Sequence, residues 1–210
     1  MDKTALTIDA YNTCASNFES SFMDLKLYKA NLNKFIDLIP INAKILDLGC
    51  GPGNIARLLS EKQKNLQILG IDLSTEMIKL ATKNVPSATF QVGDIRNLSG
   101  LANDFDAVIA AFSIVHLSND ETFNLIKDVN RLLKSKGLLY ISCIEGNNSD
   151  YLKTSFSSEK NIYFNHFTED FITRALTNTN FSIINNFKQD YPEPDGTTST
   201  ELFFYARKTL

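Results

Sequence analysis

The feature of this sequence that most constrains its fold is a series of five short, mostly apolar runs separated by segments with helical periodicity. The runs comprise residues 45–48, 68–71, 89–92, 107–110 and 138–141. Strands that are apolar at almost every position are buried on both faces, as in parallel sheets covered by helices. Repeated strand–helix units join through right-handed crossovers. The pattern therefore predicts a three-layer α/β sandwich.

The chain before the first run has a different pattern. Apolar and aromatic residues recur at helical spacing from Tyr11 to Ile39, and Pro40 ends the series. We therefore expect N-terminal helices. Further along, Ser74 is an expected helix N-cap, Ser118 opens a capping-box pattern, and Gly137 is an expected helix C-cap.

The chain after the fifth run predicts the edge of the sheet. Residues 145–167 show no clear period, and we expect a loop near the active site or a partly helical insertion. Runs 181–184 and 202–206 look like strands, and the loop-forming composition of 191–196 lies between them. The expected fold is thus a Rossmann-like, mostly parallel seven-stranded sheet with an antiparallel C-terminal edge hairpin.

Composition narrows the class of protein. The 210 residues carry a formal net charge of −3, so the chain lacks the general attraction for phosphate backbones that drives nucleic-acid binding. No apolar stretch approaches the ~18 residues of a membrane span, and no signal-peptide pattern follows Met1. Cys14, Cys50 and Cys143 are widely spaced and odd in number, which suits neither a zinc site nor a disulfide framework. We expect a cytoplasmic protein with no metal.

The strongest functional signal is the glycine-rich segment after the first run. Gly49, Gly51 and Gly53 follow a predicted strand and precede a predicted helix. Glycines permit a tight turn and a close approach of a ligand to the backbone, and the helix N-terminus offers free N–H groups. Such a loop alone is a weak signal, because it is also an ordinary strand-to-helix turn.

Two carboxylates strengthen this signal. Asp72 ends the second run and could accept hydrogen bonds from both ribose hydroxyls of a nucleoside. Asp94 ends the third run and could accept one from an adenine amino group, although a lone aspartate there is as often an ordinary turn residue. Ligands of such sheets bind across the carboxyl ends of the strands. One adenosine could therefore span all three positions.

In combination these segments resemble the class I S-adenosylmethionine-dependent methyltransferases. Segment 47–53 matches the first motif of the family, 70–77 its ribose-binding segment, 90–95 its adenine-binding segment and 105–116 its fourth-strand motif. The resemblance covers roughly residues 10–145. It implies S-adenosylmethionine as cofactor, S-adenosylhomocysteine as product, and these cofactor-binding residues: Asp47, Gly49, Cys50, Gly51, Gly53, Asn54, Asp72, Leu73, Met77, Gly93, Asp94, Ile95, Ala111 and Phe112. Cys50 has no basic partner in sequence, so we interpret its side chain as packing.

A second set of residues comprises candidates for contact with the acceptor. His116 follows the fourth run and could act as an acid, a base or a polar contact, although a lone histidine more often orders a loop. Tyr11 and Phe18 are candidate lid residues by resemblance, and the Tyr11 hydroxyl could face the methyl group. We predict His116 and Tyr11 as the catalytic residues. Glu145 and His166 could also face the substrate.

The acceptor predicted by elimination is a small molecule. The fourth-strand motif lacks the Asn/Asp-Pro-Pro-aromatic signature of enzymes that methylate DNA amino groups, and no cysteine follows a proline, as DNA cytosine enzymes require. The metal-binding acidic cluster of catechol-type enzymes and the paired glutamates of protein arginine enzymes are missing too. The aromatic residues Phe156, Tyr163, Phe164 and Phe167 indicate an apolar or aromatic acceptor, or simply anchor their loop in the core.

Two alternatives stay open. An NAD-dependent oxidoreductase would use Asp72 equally well, but the loop is Gly-x-Gly-x-Gly rather than Gly-x-Gly-x-x-Gly. A non-catalytic partner subunit would retain the cofactor site. We expect one domain over 1–210, with a helical lid over 1–40, a cofactor-binding core over 41–145 and a substrate-side loop with closing strands over 146–210. We expect a monomer or homodimer without nucleic-acid or membrane partners.

Overall fold

The computed structural model describes residues 3–193 and 196–209 and centres on a seven-stranded sheet. The strands are β1 (Lys44–Leu48), β2 (Gln67–Asp72), β3 (Thr89–Val92), β4 (Phe105–Ala111), β5 (Leu133–Ile144), β6 (Ser149–Thr154), β7 (Ser157–Asn165), β8 (Phe181–Pro192) and β9 (Thr198–Lys208). The helices are α1 (Lys3–Phe22), α2 (Lys29–Ile36), α3 (Asn54–Lys62), α4 (Thr75–Asn84), α5 (Asn119–Leu132) and α6 (Glu169–Asn178). A short 3₁₀ turn covers Ile114–His116.

The sheet confirms the predicted architecture. Its order is β3-β2-β1-β4-β5-β9-β8, and the first five strands in this order are mutually parallel. β9 runs antiparallel to both β5 and β8, which forms the expected C-terminal edge hairpin. Its strands are longer than the apolar runs predicted, since Tyr191 and Pro192 belong to β8 instead of the loop. Pro194 and Asp195 of that predicted loop lie outside the described residues.

The middle of β4 is apolar at successive positions because each face of the sheet meets a separate core. The edge strand β3 is mostly exposed, so the prediction of burial on both faces was wrong for that run. In β4, Val108 and Ala110 pack into the cluster on the α5–α6 side. Ala107 and Ile109 pack into the opposite cluster, with residues of α2 and α3. Covering both faces with helices produces the three-layer sandwich. It also leaves the carboxyl edge of the strands as the place where polar side chains can gather.

Local sequence signals predicted the starts of the helices better than their ends. Ser74 caps α4 by accepting from the Met77 N–H, and Ser118 forms the full capping box with Glu121. The prediction of Gly137 as a C-cap was wrong, because α5 already ends at Leu132 and Gly137 lies inside β5. A Cβ at that glycine would lie 3.0 Å from the Leu133 side chain, so packing explains the residue.

Segment 145–167 was the main error in the predicted fold. It forms neither an irregular loop nor a helix but an antiparallel hairpin of β6 and β7 beside the main sheet. A two-stranded hairpin is marginal on its own. Here the side chains of Phe156 and Ile162 are buried in one cluster with Ala10 and Cys14 of α1. The hairpin and α1 thus form one wall above the carboxyl edge. Within the described residues, no helix is long and apolar enough to cross a membrane.

Candidate active site

The glycine loop turns from β1 into α3 with a geometry that requires glycine. Gly49 has φ +68°, and a Cβ placed there would lie 2.4 Å from the Ser113 Cβ. Gly53, at φ +84°, is the N-cap of α3. The Gly49 and Cys50 N–H groups both donate to the Ile71 carbonyl, which ties the loop to β2. The loop therefore exposes backbone groups that no side chain covers, beside the end of β2.

Asp72 holds this backbone in place from the end of β2. Its Oδ2 accepts from the Gly51 N–H at 2.9 Å, and its Oδ1 accepts from the Ser74 N–H at 2.8 Å. Burial raises the pKa of Asp72, and these backbone hydrogen bonds oppose the rise. Each carboxylate oxygen keeps a further lone pair for a ligand.

The third carboxylate, Asp94, has a partner that the sequence prediction missed. Both of its oxygens accept from the Arg96 guanidinium, at 2.6–3.0 Å. Burial raises the pKa of Asp94, but the hydrogen bonds from Arg96 outweigh it and leave the pKa below its usual range. Arg96 also donates to Glu121 and Thr4, so it links the end of β3 to α5 and α1. In the sequence, the signal for this ion pair is the basic residue two positions after the aspartate.

A cavity of about 790 Å³ runs along the carboxyl edge of the sheet beneath α1 and the hairpin. Its volume is typical of small-molecule sites. Twelve of the predicted site residues line it, namely Tyr11, Gly49, Gly51, Asn54, Asp72, Leu73, Met77, Asp94, Ile95, Ala111, Phe112 and His116. The structure thus brings both predicted catalytic residues and most of the predicted cofactor contacts to one space.

Four predicted cofactor residues do not line this cavity. Gly53 and Gly93 shape the backbone behind it. Asp47 is buried in β1, where burial and the nearby Asp72 raise its pKa to about 7. Cys50 packs away from the ligand space: a Cβ on Gly70 would lie 2.9 Å from its sulfur and 2.5 Å from the Phe90 ring. This agrees with the interpretation of Cys50 as a packing residue.

Tyr11 and His116 meet inside the cavity. The Tyr11 hydroxyl lies 2.9 Å from His116 Nε2, and His116 Nδ1 lies 2.8 Å from the Tyr163 carbonyl. A carbonyl can only accept, so Nδ1 carries the proton and Nε2 accepts from the Tyr11 hydroxyl. Burial lowers the pKa of His116 to about 4, although the bond to Tyr163 opposes this. The ring is therefore neutral at pH 7.

An aromatic group on α1 and the hairpin covers this pair. The Tyr11 ring stacks on Phe156 with centroids 5.7 Å apart, and Phe18 meets both rings edge-on. Phe164 and His166 also line the cavity. Glu145 does not: its carboxylate forms an ion pair with Lys188, so the expectation that it faces the substrate was wrong.

Phe112 occupies strained backbone at the mouth of β4. Its φ is +51°, a conformation that costs a residue with a side chain on the order of 1–2 kcal/mol. Its N–H is held by the Ser142 carbonyl and hydroxyl oxygens. Its ring lies 5.2 Å from Tyr28 and 5.9 Å from Phe203, between centroids. Strained residues held by their surroundings concentrate at functional sites.

A second group of residues lines the cavity beside Phe112. It consists of Tyr28, Tyr191, Glu193, Ser199 and Glu201. Tyr28 precedes α2, and the other four lie in or next to the edge hairpin of β8 and β9. The pairing of β9 with β5, which places Glu201 opposite Ile144, brings the hairpin to the cavity.

Comparison with known proteins agrees with this geometry. The sequence model of a family described as a methyltransferase domain matches residues 45–137, the stretch that contains the glycine loop, Asp72, Asp94 and His116. Over this stretch the chain is similar to methyltransferase domains, and these matches support the class I S-adenosylmethionine-dependent methyltransferase family that the sequence resembles. A demethylmenaquinone methyltransferase of Thermotoga maritima is 36% identical to this chain over 119 residues, which are 57% of this chain and 50% of the relative. The chain spans about half the length of the curated relatives it matches.

Solved structures show the methyltransferase fold over most of the chain. A S-adenosylmethionine-dependent methyltransferase of Methanosarcina mazei superposes with a TM-score of 0.72 at 24% identity, covering 83% of this chain and 96% of its own. Magnesium protoporphyrin IX methyltransferase of Synechocystis, solved with bound S-adenosylmethionine, gives 0.73 at 17% identity, covering 100% and 98%. At these identities the likeness concerns the fold alone.

The cavity has features that fit the cofactor implied by the resemblance to methyltransferases. Gly49 and Gly51 leave a cradle that a side chain would fill. Two buried oxygens beside it, Asp47 Oδ2 and Ser113 Oγ, have no hydrogen-bond partner among the described residues. Buried polar atoms are almost always paired, so these favour a polar ligand group at the loop.

Proposed function

We propose that the protein is an S-adenosylmethionine-dependent methyltransferase that acts on a small-molecule acceptor. The observation that carries this proposal is the continuous cavity that joins the glycine loop, Asp72 and the Asp94–Ile95 segment to the Tyr11–His116 pair. Relatives named for small-molecule acceptors, such as demethylmenaquinone in the Thermotoga protein, support the acceptor class. The net charge of −3 is consistent with a partner other than nucleic acid.

The proposed cofactor contacts follow the order of the strands. Asp72 would accept from the ribose hydroxyls through its remaining lone pairs. Asp94 and the Ile95 backbone would meet the adenine, and Leu73 and Met77 would pack on the nucleoside. The glycine loop, with Asp47 behind it, would face the methionine part. When bound, the cofactor would supply its sulfonium methyl group: the lone pair of the acceptor would bond to the methyl carbon as the C–S bonding pair passes to sulfur and S-adenosylhomocysteine leaves.

The geometry supports different tasks for Tyr11 and His116. A general base works best with a pKa near the operating pH. The neutral His116, with a pKa of about 4, is a weak base, and its Nε2 is already used by Tyr11. We therefore assign His116 to hold the Tyr11 ring and hydroxyl in place. Tyr11 would contact the reacting groups, and its hydroxyl oxygen keeps a lone pair free for them.

The wall formed by α1 and the hairpin would exclude water. The stacked rings of Tyr11 and Phe156, with Phe18 edge-on to both, cover the space beside His116. Holding donor and acceptor in line can contribute roughly 7–11 kcal/mol to such a reaction. The lid over 1–40, the core over 41–145 and the single domain over 1–210 stay predictions. The cytoplasmic location and the monomeric or homodimeric state stay predictions.

Calorimetric titration with S-adenosylhomocysteine, with NAD for comparison, tests the cofactor. Asp72→Ala should weaken binding about 10- to 150-fold, because a hydrogen bond to a charged group contributes roughly 1.5–3 kcal/mol. Asp106→Ala is the matched control. Asp106 also accepts from a backbone N–H, that of Lys44, but lies at the start of β4, away from the cavity. Tight binding of NAD, or no binding of the nucleoside, would refute the proposal.

A further inference from the structure

A buried carboxylate that lines the cavity has one oxygen without a hydrogen bond among the described residues. Glu201 is only 5% exposed. Its Oε1 accepts from the Tyr28 hydroxyl at 2.8 Å, whereas its Oε2 is buried with no hydrogen-bond partner among the described residues. Leaving a buried carboxylate half-satisfied is costly, so such a group calls for a ligand donor or a counter-charge.

The described residues provide no counter-charge there. Among the described residues, neither Glu201 nor Glu193 forms an ion pair. Lys188, on the neighbouring strand β8, pairs with Glu145 and Glu169 instead. The two cations that line the cavity come from other walls. Arg96 is occupied by Asp94 and Glu121, and Lys153 is exposed on β6.

The surroundings of Glu201 place a second carboxylate beside it and oppose its ionisation, and a bound cation would relieve both effects. Burial raises the pKa of Glu201, and the nearby Glu193 raises it further. The hydrogen bond from Tyr28 lowers it, and the resulting pKa is about 7. Glu193 itself accepts from the Ser199 hydroxyl at 2.7 Å. Tyr28, Phe112 and Tyr191 supply aromatic rings on the same stretch of wall. Aromatic faces beside carboxylates attract cations and repel anions.

We propose that Glu201 and Tyr28 form an anchoring subsite for a positively charged amino group of the acceptor. This proposal rests on the proposed methyltransferase function and adds the class of acceptor. The ammonium would donate to Glu201 Oε2 and lie against the aromatic rings. The subsite holds the acceptor by this group, while the atom to be methylated points towards Tyr11.

A set of matched probes tests the subsite. Phenethylamine, 2-phenylethanol and phenylacetate share one aromatic body and differ in the charge at the end. Their binding is measured by calorimetry with and without S-adenosylhomocysteine, at about pH 8, where a carboxylate is ionised and an alkyl ammonium stays charged. The amine should bind at least about tenfold more tightly than the alcohol, because charge-assisted hydrogen bonds are roughly twice as strong as neutral ones.

Glu201→Gln should remove this preference at nearly constant shape. Glu193→Gln is the control, since it removes the same charge from the same wall but at a half-buried group that Ser199 already satisfies. It should keep most of the preference. Equal binding of amine and alcohol to the wild type, no amine binding at millimolar concentration, or a preference retained in Glu201→Gln would overturn the proposal.

The nucleoside titration separates this proposal from the one on which it rests. Glu201→Gln should bind S-adenosylhomocysteine within about twofold of the wild type. A loss above tenfold in that variant would mean that the carboxylate serves the ammonium of the cofactor, and the acceptor subsite would be refuted. If the wild type binds no S-adenosylhomocysteine, the proposed function fails, while the probe series without it still decides whether Glu201 binds amines. Thermal unfolding of each variant confirms that it is folded.

Discussion

The burial of His116 predicts a specific dependence of stability on pH. In the folded protein, burial holds the pKa of His116 at about 4, below its ordinary value of 6.5. In the unfolded chain, the His116 ring therefore takes up a proton below about pH 6.5. In the folded protein, it does so only below about pH 4. Because the unfolded state binds more protons in this window, stability is fully present above pH 6.5 and falls as the pH is lowered.

The magnitude follows from the difference between the two pKa values. One unit corresponds to about 1.4 kcal/mol, so the full difference of about 2.5 units amounts to about 3 kcal/mol. Between pH 7 and pH 5, the contribution of His116 to this loss is about 2 kcal/mol. Raised pKa values, such as those of Asp47 and Glu201, act in the opposite direction, because the stability they contribute is lost as the pH rises.

The assay compares urea unfolding of the wild type and His116→Gln at pH 7 and pH 5. Glutamine can donate to the Tyr163 carbonyl and accept from Tyr11, but it does not titrate. The difference between the two proteins therefore isolates the histidine, since all carboxylates are common to both. The variant should lose about 2 kcal/mol less than the wild type between these pH values. His166→Gln is the control, and it should retain the wild-type loss because His116 is intact.

Equal pH dependence in the wild type and His116→Gln would refute the reasoning. It would mean that the imidazole takes up its proton equally in the folded and unfolded states. The neutral ring that accepts from Tyr11 would then be lost near neutral pH, and with it the positioning role proposed for His116. A carbon-13 or proton NMR titration of the His116 ring checks the same point directly.

Three further substitutions test other parts of the site. Gly49→Ala should lower the free energy of unfolding by about 1–3 kcal/mol in urea denaturation, because its Cβ would lie 2.4 Å from the Ser113 Cβ and its φ is positive. Arg96→Gln should raise the pKa of Asp94 towards its usual range in a carboxyl NMR titration, since the guanidinium hydrogen bonds hold it down. Phe156→Ala should destabilise the protein by about 3 kcal/mol and speed proteolysis of the β6–β7 hairpin, because it empties the aromatic contact with α1.

Each substitution has a matched control or a contrary result. Gly100→Ala places its Cβ in open space and should change stability by less than about 0.5 kcal/mol. An Asp94 titration unchanged in Arg96→Gln would show that the ion pair does not govern this carboxylate. Leu152→Ala, on the more exposed strand of the same hairpin, should leave proteolysis close to the wild-type rate. Equal cleavage of both hairpin variants would contradict the anchoring role of Phe156.

The sequence predicted the parallel sheet and its ligand edge because the relevant signals are local. A strand buried on both faces must be apolar at successive positions, and the turn at Gly49 has a φ of +68°, which favours glycine whatever its neighbours are. Asn180 takes the left-handed conformation that asparagine tolerates, at φ +61°. Such constraints act on a few adjacent residues, so they are visible in the residues themselves.

The missed features depend on partners that are distant in the chain. Ile162 and Phe164 form too short an apolar pattern to reveal a strand, and α1, more than 130 residues earlier, supplies their burial. Glu201 continues into an apolar run and looks like the polar end of a strand. Its carboxylate is buried in the fold and accepts a hydrogen bond from Tyr28, 173 residues away. Neither contact has a local signature.

The packing of Cys50 has a consequence for how this sequence can diverge. Gly70 leaves room for the Cys50 sulfur and the Phe90 ring, and a Cβ at Gly70 would overlap both. The three residues share one volume on three different segments, so the effects of substitutions among them should not add. In related sequences, a larger residue at position 70 should therefore occur with smaller residues at 50 and 90. The residue at position 50 inside the glycine loop would then depend on the packing of the neighbouring strands, and not on the ligand.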